Sequence, residues 1–128
     1  MPPLLAIRQL EVRLPAEHGD LVAVAGIDLD LDRGRRLALV GESGSGKSMT
    51  ALAIMGLLPR AARTRGSISL DGRELLGLGD AELSELRGRR MAMVFQEPMT
   101  ALNPMRSIGR QIGEVPLRRG QGRPEVRE

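Results

Sequence analysis

Gly41-Glu42-Ser43-Gly44-Ser45-Gly46-Lys47-Ser48 matches the pattern G-x-x-x-x-G-K-[ST] at every fixed position. The spacing has a chemical reason. Glycines let the backbone curl so that consecutive N–H groups point inward at phosphate oxygens. Lys47 adds a charge that reaches β- and γ-phosphates, and the Ser48 hydroxyl is placed to ligate Mg²⁺. Met49 leads out of the loop into a helix whose positive N-terminal end faces the same anion.

The flanks support this reading. Residues 36–40, Arg-Leu-Ala-Leu-Val, read as a short buried strand directly before the loop. Residues 49–58 read as an apolar helix stopped by Pro59. The dinucleotide pattern G-x-G-x-x-G fails, because Met49 stands where its last glycine would be. The hydrolase elbow G-x-S-x-G around Ser43 fails at Ser45. The expected ligand is therefore a nucleoside triphosphate rather than NAD, held with Mg²⁺.

Composition removes several alternatives. The 128 residues contain no cysteine, one histidine (His18) and one aromatic residue (Phe95). Disulfides, thiolate metal sites and histidine-rich metal sites are excluded, and base stacking on aromatic platforms is disfavoured. Residues 1–103 carry equal numbers of basic and acidic side chains, so the net charge of +3 lies in residues 104–128. With no aromatic residues interleaved there, a solvated arginine-bearing surface is preferred to a nucleic-acid face. The N-terminal stretch is too short and too soon charged for a signal peptide, and no apolar run approaches a membrane span.

The remaining pattern is strand-rich. Residues 4–14 end in period-two alternation, and in 21–31 Ile27, Leu29 and Leu31 face one way while Asp28 and Asp30 face the other. Residues 61–65 read as a basic loop, 66–70 as a strand, Asp71-Gly72 as a turn and 80–87 as a short helix. Arg87-Gly88-Arg89-Arg90 reads as a solvated connection. Residues 91–95, Met-Ala-Met-Val-Phe, read as a strand buried on both faces. Asn103-Pro104 marks a turn, and Ser107 caps a helix interrupted by Pro116. Past Arg119 the pattern is lost. The expected fold is α/β: a P-loop NTPase-type parallel core with an antiparallel β layer.

A phosphate-loop enzyme needs an acid at the end of a second buried strand. The candidate strand, 91–95, ends instead in Gln96, with Glu97 one position late. Glutamine can ligate Mg²⁺ and orient water but cannot act as a base. Residues 41–59, 70–76 (Leu-Asp-Gly-Arg-Glu-Leu-Leu) and 93–104 (Met-Val-Phe-Gln-Glu-Pro-Met-Thr-Ala-Leu-Asn-Pro) resemble an ATP-binding subunit of an ABC transporter. The nearest branch is the oligopeptide/dipeptide importer family, which also includes nickel importers. The resemblance runs from about residue 4 to 127.

It implies that Gln96 is the Q-loop glutamine, touching metal or water and sitting where the subunit meets its permease. It implies a helical subdomain from about residue 104, permease subunits and a second ATP-binding subunit as partners, and a place on the cytoplasmic face of the bacterial inner membrane. Where the family has an adenine-stacking aromatic residue, the counterpart here is His18; an ordinary exposed loop histidine is the equal alternative. The family's Leu-Ser-Gly-Gly signature, its aspartate–glutamate strand end and its switch histidine have no match. The chain is therefore expected to be the N-terminal portion of a nucleotide-binding domain, with little ATP hydrolysis of its own. The alternatives are a non-hydrolysing nucleotide- or partner-binding fragment and, less favoured, a nucleic-acid-associated P-loop protein.

Overall fold

Leu5, Ile7, Leu10 and Val12 are all buried on β1 (Leu5–Leu14), although the first two are odd positions and the last two even. A regular strand would turn one pair to solvent. The parity changes at Gln9, which adopts φ 46° and bulges out of the ladder. One inserted residue restores the same face on both sides of it. Asp28 of β2 (Leu21–Leu31) accepts from the Gln9 backbone N–H at 2.9 Å and from its side-chain amide at 2.5 Å. On the other side, Gly66 of β3 (Arg63–Leu70) makes room, since a Cβ there would lie 2.4 Å from the Gln9 carbonyl oxygen.

The structure, a computed structural model, describes residues 1–120. These divide into two compact units, Met1–Ala92 and the residues from Met93 onward. In the first, β4 (Arg73–Glu74) completes an antiparallel sheet of order β2-β1-β3-β4. The expected antiparallel layer is thus present, with Ile27, Leu29 and Leu31 partly buried and Asp28 and Asp30 exposed. The loop expected at 61–65 gives way to β3 from Arg63, because these residues pair with β1 from Glu11 to Arg13. Helix α1 (Lys47–Met55) lays Thr50, Ala53 and Met55 inward, and Ala53 joins the core of Leu5, Ile7, Leu10, Val12, Val24, Ile68 and Leu75. It ends at Gly56 in a left-handed cap, earlier than the Pro59 stop expected from sequence. Helix α2 (Asp80–Leu86) begins where expected, and the Glu82 carboxylate accepts from the Gly79 N–H at its start.

Two expected strands are not formed. Residues 36–40 have no strand pairing, and Leu37, Leu39 and Val40 are exposed, Val40 by 89%. Residues 91–95 make only an isolated bridge, Arg87 to Met91, with Val94 96% exposed. The two runs thus form no parallel core within this α/β chain: among the described residues the named strands pair only antiparallel, and the isolated Arg87–Met91 bridge is parallel. Apolar runs of this kind become parallel strands only beside neighbours that complete both sides of the ladder. Among the described residues neither run has one.

In the second unit α3 (Pro98–Ala101) was not anticipated; Pro98 sits at its first turn, where a missing N–H costs nothing. Helix α4 (Ile108–Arg118) has Ser107 at its N-cap position, but without a side-chain cap bond. Gln111 ties the preceding turn down instead: its amide donates to the Asn103 and Arg106 carbonyls and accepts from the Asn103 N–H. Pro116 does not interrupt the helix, which continues to Arg118. The pattern-free tail lies, from residue 121, outside the described residues.

Glu74 closes the β3–β4 hairpin. Its carboxylate accepts from the Ser67 hydroxyl and from the backbone N–H groups of Ile68 and Leu76, both at 2.9 Å. Burial of the carboxyl end opposes its charge, but these donors outweigh that and hold its pKa below the ordinary value. A carboxylate lowered on folding stabilises the fold above its unfolded pKa, and that contribution fades as pH falls through the folded value. Glu74→Gln is expected to cost about 1 kcal/mol at neutral pH, because solvent screens a largely exposed group. The difference between parent and variant in urea unfolding should shrink as the pH is lowered through the carboxylate range; a gap independent of pH would remove Glu74 from this role.

Candidate phosphate-binding site

The loop from Gly41 to Ser48 hangs between the unpaired segment 36–40 and the first turn of α1. Gly44 (φ 81°) and Gly46 (φ 93°) take backbone conformations that side-chain-bearing residues avoid. Gly46 also has a spatial reason: a Cβ there would lie 2.4 Å from the Ala23 backbone oxygen. The start of α1 thus rests directly on the backbone of β2. Thr50 fastens this corner, its backbone N–H and its hydroxyl both donating to the Gly46 carbonyl at 2.9 Å.

Helix geometry leaves the N–H groups of Lys47, Ser48 and Met49 without acceptors inside α1. They form the positive end of the helix dipole. The Lys47 ammonium folds back over the loop, donating to the Gly41 carbonyl at 2.7 Å, the Glu42 carbonyl at 2.6 Å and the Ser45 hydroxyl at 3.1 Å. An ammonium has three donors, and all three are used by neutral oxygens of the loop itself. A phosphate oxygen would offer stronger, charge-assisted acceptors in their place. Glu42, Ser43 and Ser48 are exposed. The donor set suits a triphosphate, and the exposed Ser48 hydroxyl beside it suits Mg²⁺, which keeps several waters and takes few protein ligands. Among the described residues no group of three or more His, Cys, Asp or Glu side chains is arranged to hold a metal by itself.

A cleft of about 400 Å³ opens beside the loop. Its walls include Val22, Ala25 and Ile27 of β2, Leu39 and Val40, and the loop residues Gly44 to Lys47. His18 stands exposed in the turn between β1 and β2 and is not among the residues lining this cleft. Gln96 is exposed in the second unit, just before α3. The structure brings residues 41–49 together within the first unit, with His18 outside the lining of the cleft. Sequence reasoning missed the support of the loop by Ala23, for which the paired glycine and small β2 residue were the only signal.

A family model described as "ABC transporter" matches residues 24–126. The chain is 50% identical over 115 residues to "Probable D,D-dipeptide transport ATP-binding protein DdpD" of Escherichia coli, covering 88% of this chain and 35% of that protein. It is 44% identical over 126 residues to "Oligopeptide transport ATP-binding protein OppD" of Salmonella typhimurium, covering 98% of this chain and 38% of the relative. The OppD protein of Mycobacterium tuberculosis is 47% identical over 115 residues, which cover 90% of this chain and 19% of the relative. The chain spans between about a fifth and two fifths of the length of these relatives.

The two glycines make separable expectations. Gly44→Ala meets open space and carries only the conformational penalty, about 1–2 kcal/mol. Gly46→Ala carries the same penalty plus a backbone collision with β2. Thermal unfolding should rank Gly46→Ala well below Gly44→Ala; equal melting temperatures would show that α1 does not rest on Ala23.

Proposed function

The chain belongs to the ABC transporter family, and on that premise we propose that it is the ATP-binding, energy-coupling component of an importer for peptides or nickel. The carrying observation is the loop at 41–48, with Lys47 at its centre and the free N–H groups of α1 behind it. In this reading the Gly41–Lys47 backbone cradles the phosphates, Lys47 exchanges its loop carbonyls for β- and γ-phosphate oxygens, and Ser48 ligates Mg²⁺. His18 stands on the adenine side, and Gln96 contacts metal or water and the permease. The importer's membrane subunits and a second ATP-binding subunit are the proposed partners, at the cytoplasmic face of the inner membrane. The names of the relatives, transport ATP-binding proteins, support the role of an ATP-binding component of a transport system, and no helix among the described residues is long and apolar enough to cross a membrane.

Calorimetric titration with Mg·ATP tests the site. Lys47→Ala removes a charge-assisted phosphate contact worth roughly 1.5–3 kcal/mol and is expected to weaken binding at least about tenfold. Equal affinity of variant and parent would remove the assignment. His18→Ala is expected to weaken ATP while leaving tripolyphosphate unchanged; unchanged ATP affinity makes it an ordinary loop histidine.

Hydrolysis needs more than binding. The attacking water must be oriented and the developing charge stabilised. These 128 residues contain no Leu-Ser-Gly-Gly sequence, no aspartate–glutamate pair and no histidine beyond His18. Losing members of a catalytic set costs orders of magnitude in rate. Phosphate release by the 128-residue chain alone is expected to stay near background. Turnover that disappears in Lys47→Ala and survives repurification would overturn this.

A further inference from the structure

The segment Arg87-Gly88-Arg89-Arg90 does more than connect. Arg87 lies across the C-terminal end of α1: its Nε donates to the Met55 carbonyl and its Nη2 to the Gly56 carbonyl, each at 2.9 Å. Nη1 donates to Asp80 at 2.7 Å. A helix end leaves its last carbonyls without partners and carries partial negative charge, so a forked cation suits it. The Arg87 side chain is only 19% exposed, which shields these bonds from water, whereas Asp80 is 87% exposed and adds little. Gly56 permits the approach: a Cβ there would lie 2.5 Å from Leu83 and 3.2 Å from the guanidinium. Farther along, Arg90 donates to Asp71 at 2.5 Å, and Asp71 also pairs with Arg33, where the chain leaves β2. One four-residue segment therefore fastens both ends of residues 33–56, the stretch that carries the phosphate loop.

We propose that Arg87 is a positioning residue for the phosphate loop, holding the C-terminal carbonyls of α1 so that the helix N-terminus and Lys47 meet a triphosphate at the correct angle. This rests on the reading of residues 41–48 as a triphosphate site. A helix of nine residues is about 13 Å long, so a tilt of about 5° at one end moves the other by about 1 Å. Displacements of that size cost up to about a hundredfold in rate where reacting groups must be aligned, and a smaller loss is expected for binding alone.

The test compares purified parent, Arg87→Ala, Arg87→Lys and Asp80→Ala at a temperature where melting curves show each folded. Mg·ATP affinity is read by calorimetry, and amide hydrogen exchange by mass spectrometry. Arg87→Ala is expected to bind ATP about tenfold more weakly and to exchange faster at residues 44–50, far from the substitution, with millimolar guanidinium restoring both. Arg87→Lys keeps the charge without the fork and is expected to show the same defects more mildly; it carries the test if the alanine variant does not fold. Asp80→Ala is expected to match the parent. A folded Arg87 variant with parent affinity, or with faster exchange confined to residues 53–56, overturns the proposal. If the parent binds no ATP, the functional reading fails, and exchange at residues 44–50 still decides the role of Arg87.

Discussion

The phosphate loop depends on a backbone-to-backbone contact between Gly46 and the Ala23 carbonyl of β2. The strand that would lead into the loop, residues 36–40, pairs with nothing among the described residues, so it contributes no ladder to hold the loop in place. Support comes from behind and below instead. Helix α1 rests on β2 through its N-cap residue, Gly46, and on the sheet core through Ala53. That sheet is in turn kept flush by the bulge at Gln9, without which Leu10 and Val12 would face solvent. The position of the loop is thus inherited from the antiparallel layer.

The legible parts of this fold are those specified locally. Alternation in β2, the Asp71-Gly72 turn and the acidic start of α2 each follow from residues a few positions apart, and each is where it was expected. The loop itself was legible for the same reason, since one octapeptide holds its glycines, lysine and serine. What failed was pairing. The apolar runs at 36–40 and 91–95 report that a residue wants cover, but a parallel strand also needs a particular neighbour, and an apolar pattern does not say which one exists. Arg87 was misread for a related reason. Its carbonyl partners are more than thirty residues away in sequence, and nothing near Arg87 distinguishes a helix-end clamp from a solvated arginine.

The geometry of Lys47 also explains how an octapeptide of small, polar residues takes a defined shape. Its ammonium is the hub of the loop, satisfying two carbonyls and a hydroxyl that curl toward it. On the proposed reading, a phosphate bound there would replace these interactions. The gain is the difference between neutral and anionic acceptors, partly offset by freeing the Gly41 and Glu42 carbonyls to water.

Lys47 is also the only lysine in these 128 residues. Its ε-amine is thus the sole side-chain primary amine for amine-directed reagents, and Lys47–Ser48 the sole bond for a protease that cuts after lysine. Mass added by an amine label, apart from the α-amino terminus, reports on one nitrogen at the centre of the loop. A single cut there would sever the loop from α1 at the helix's first residue.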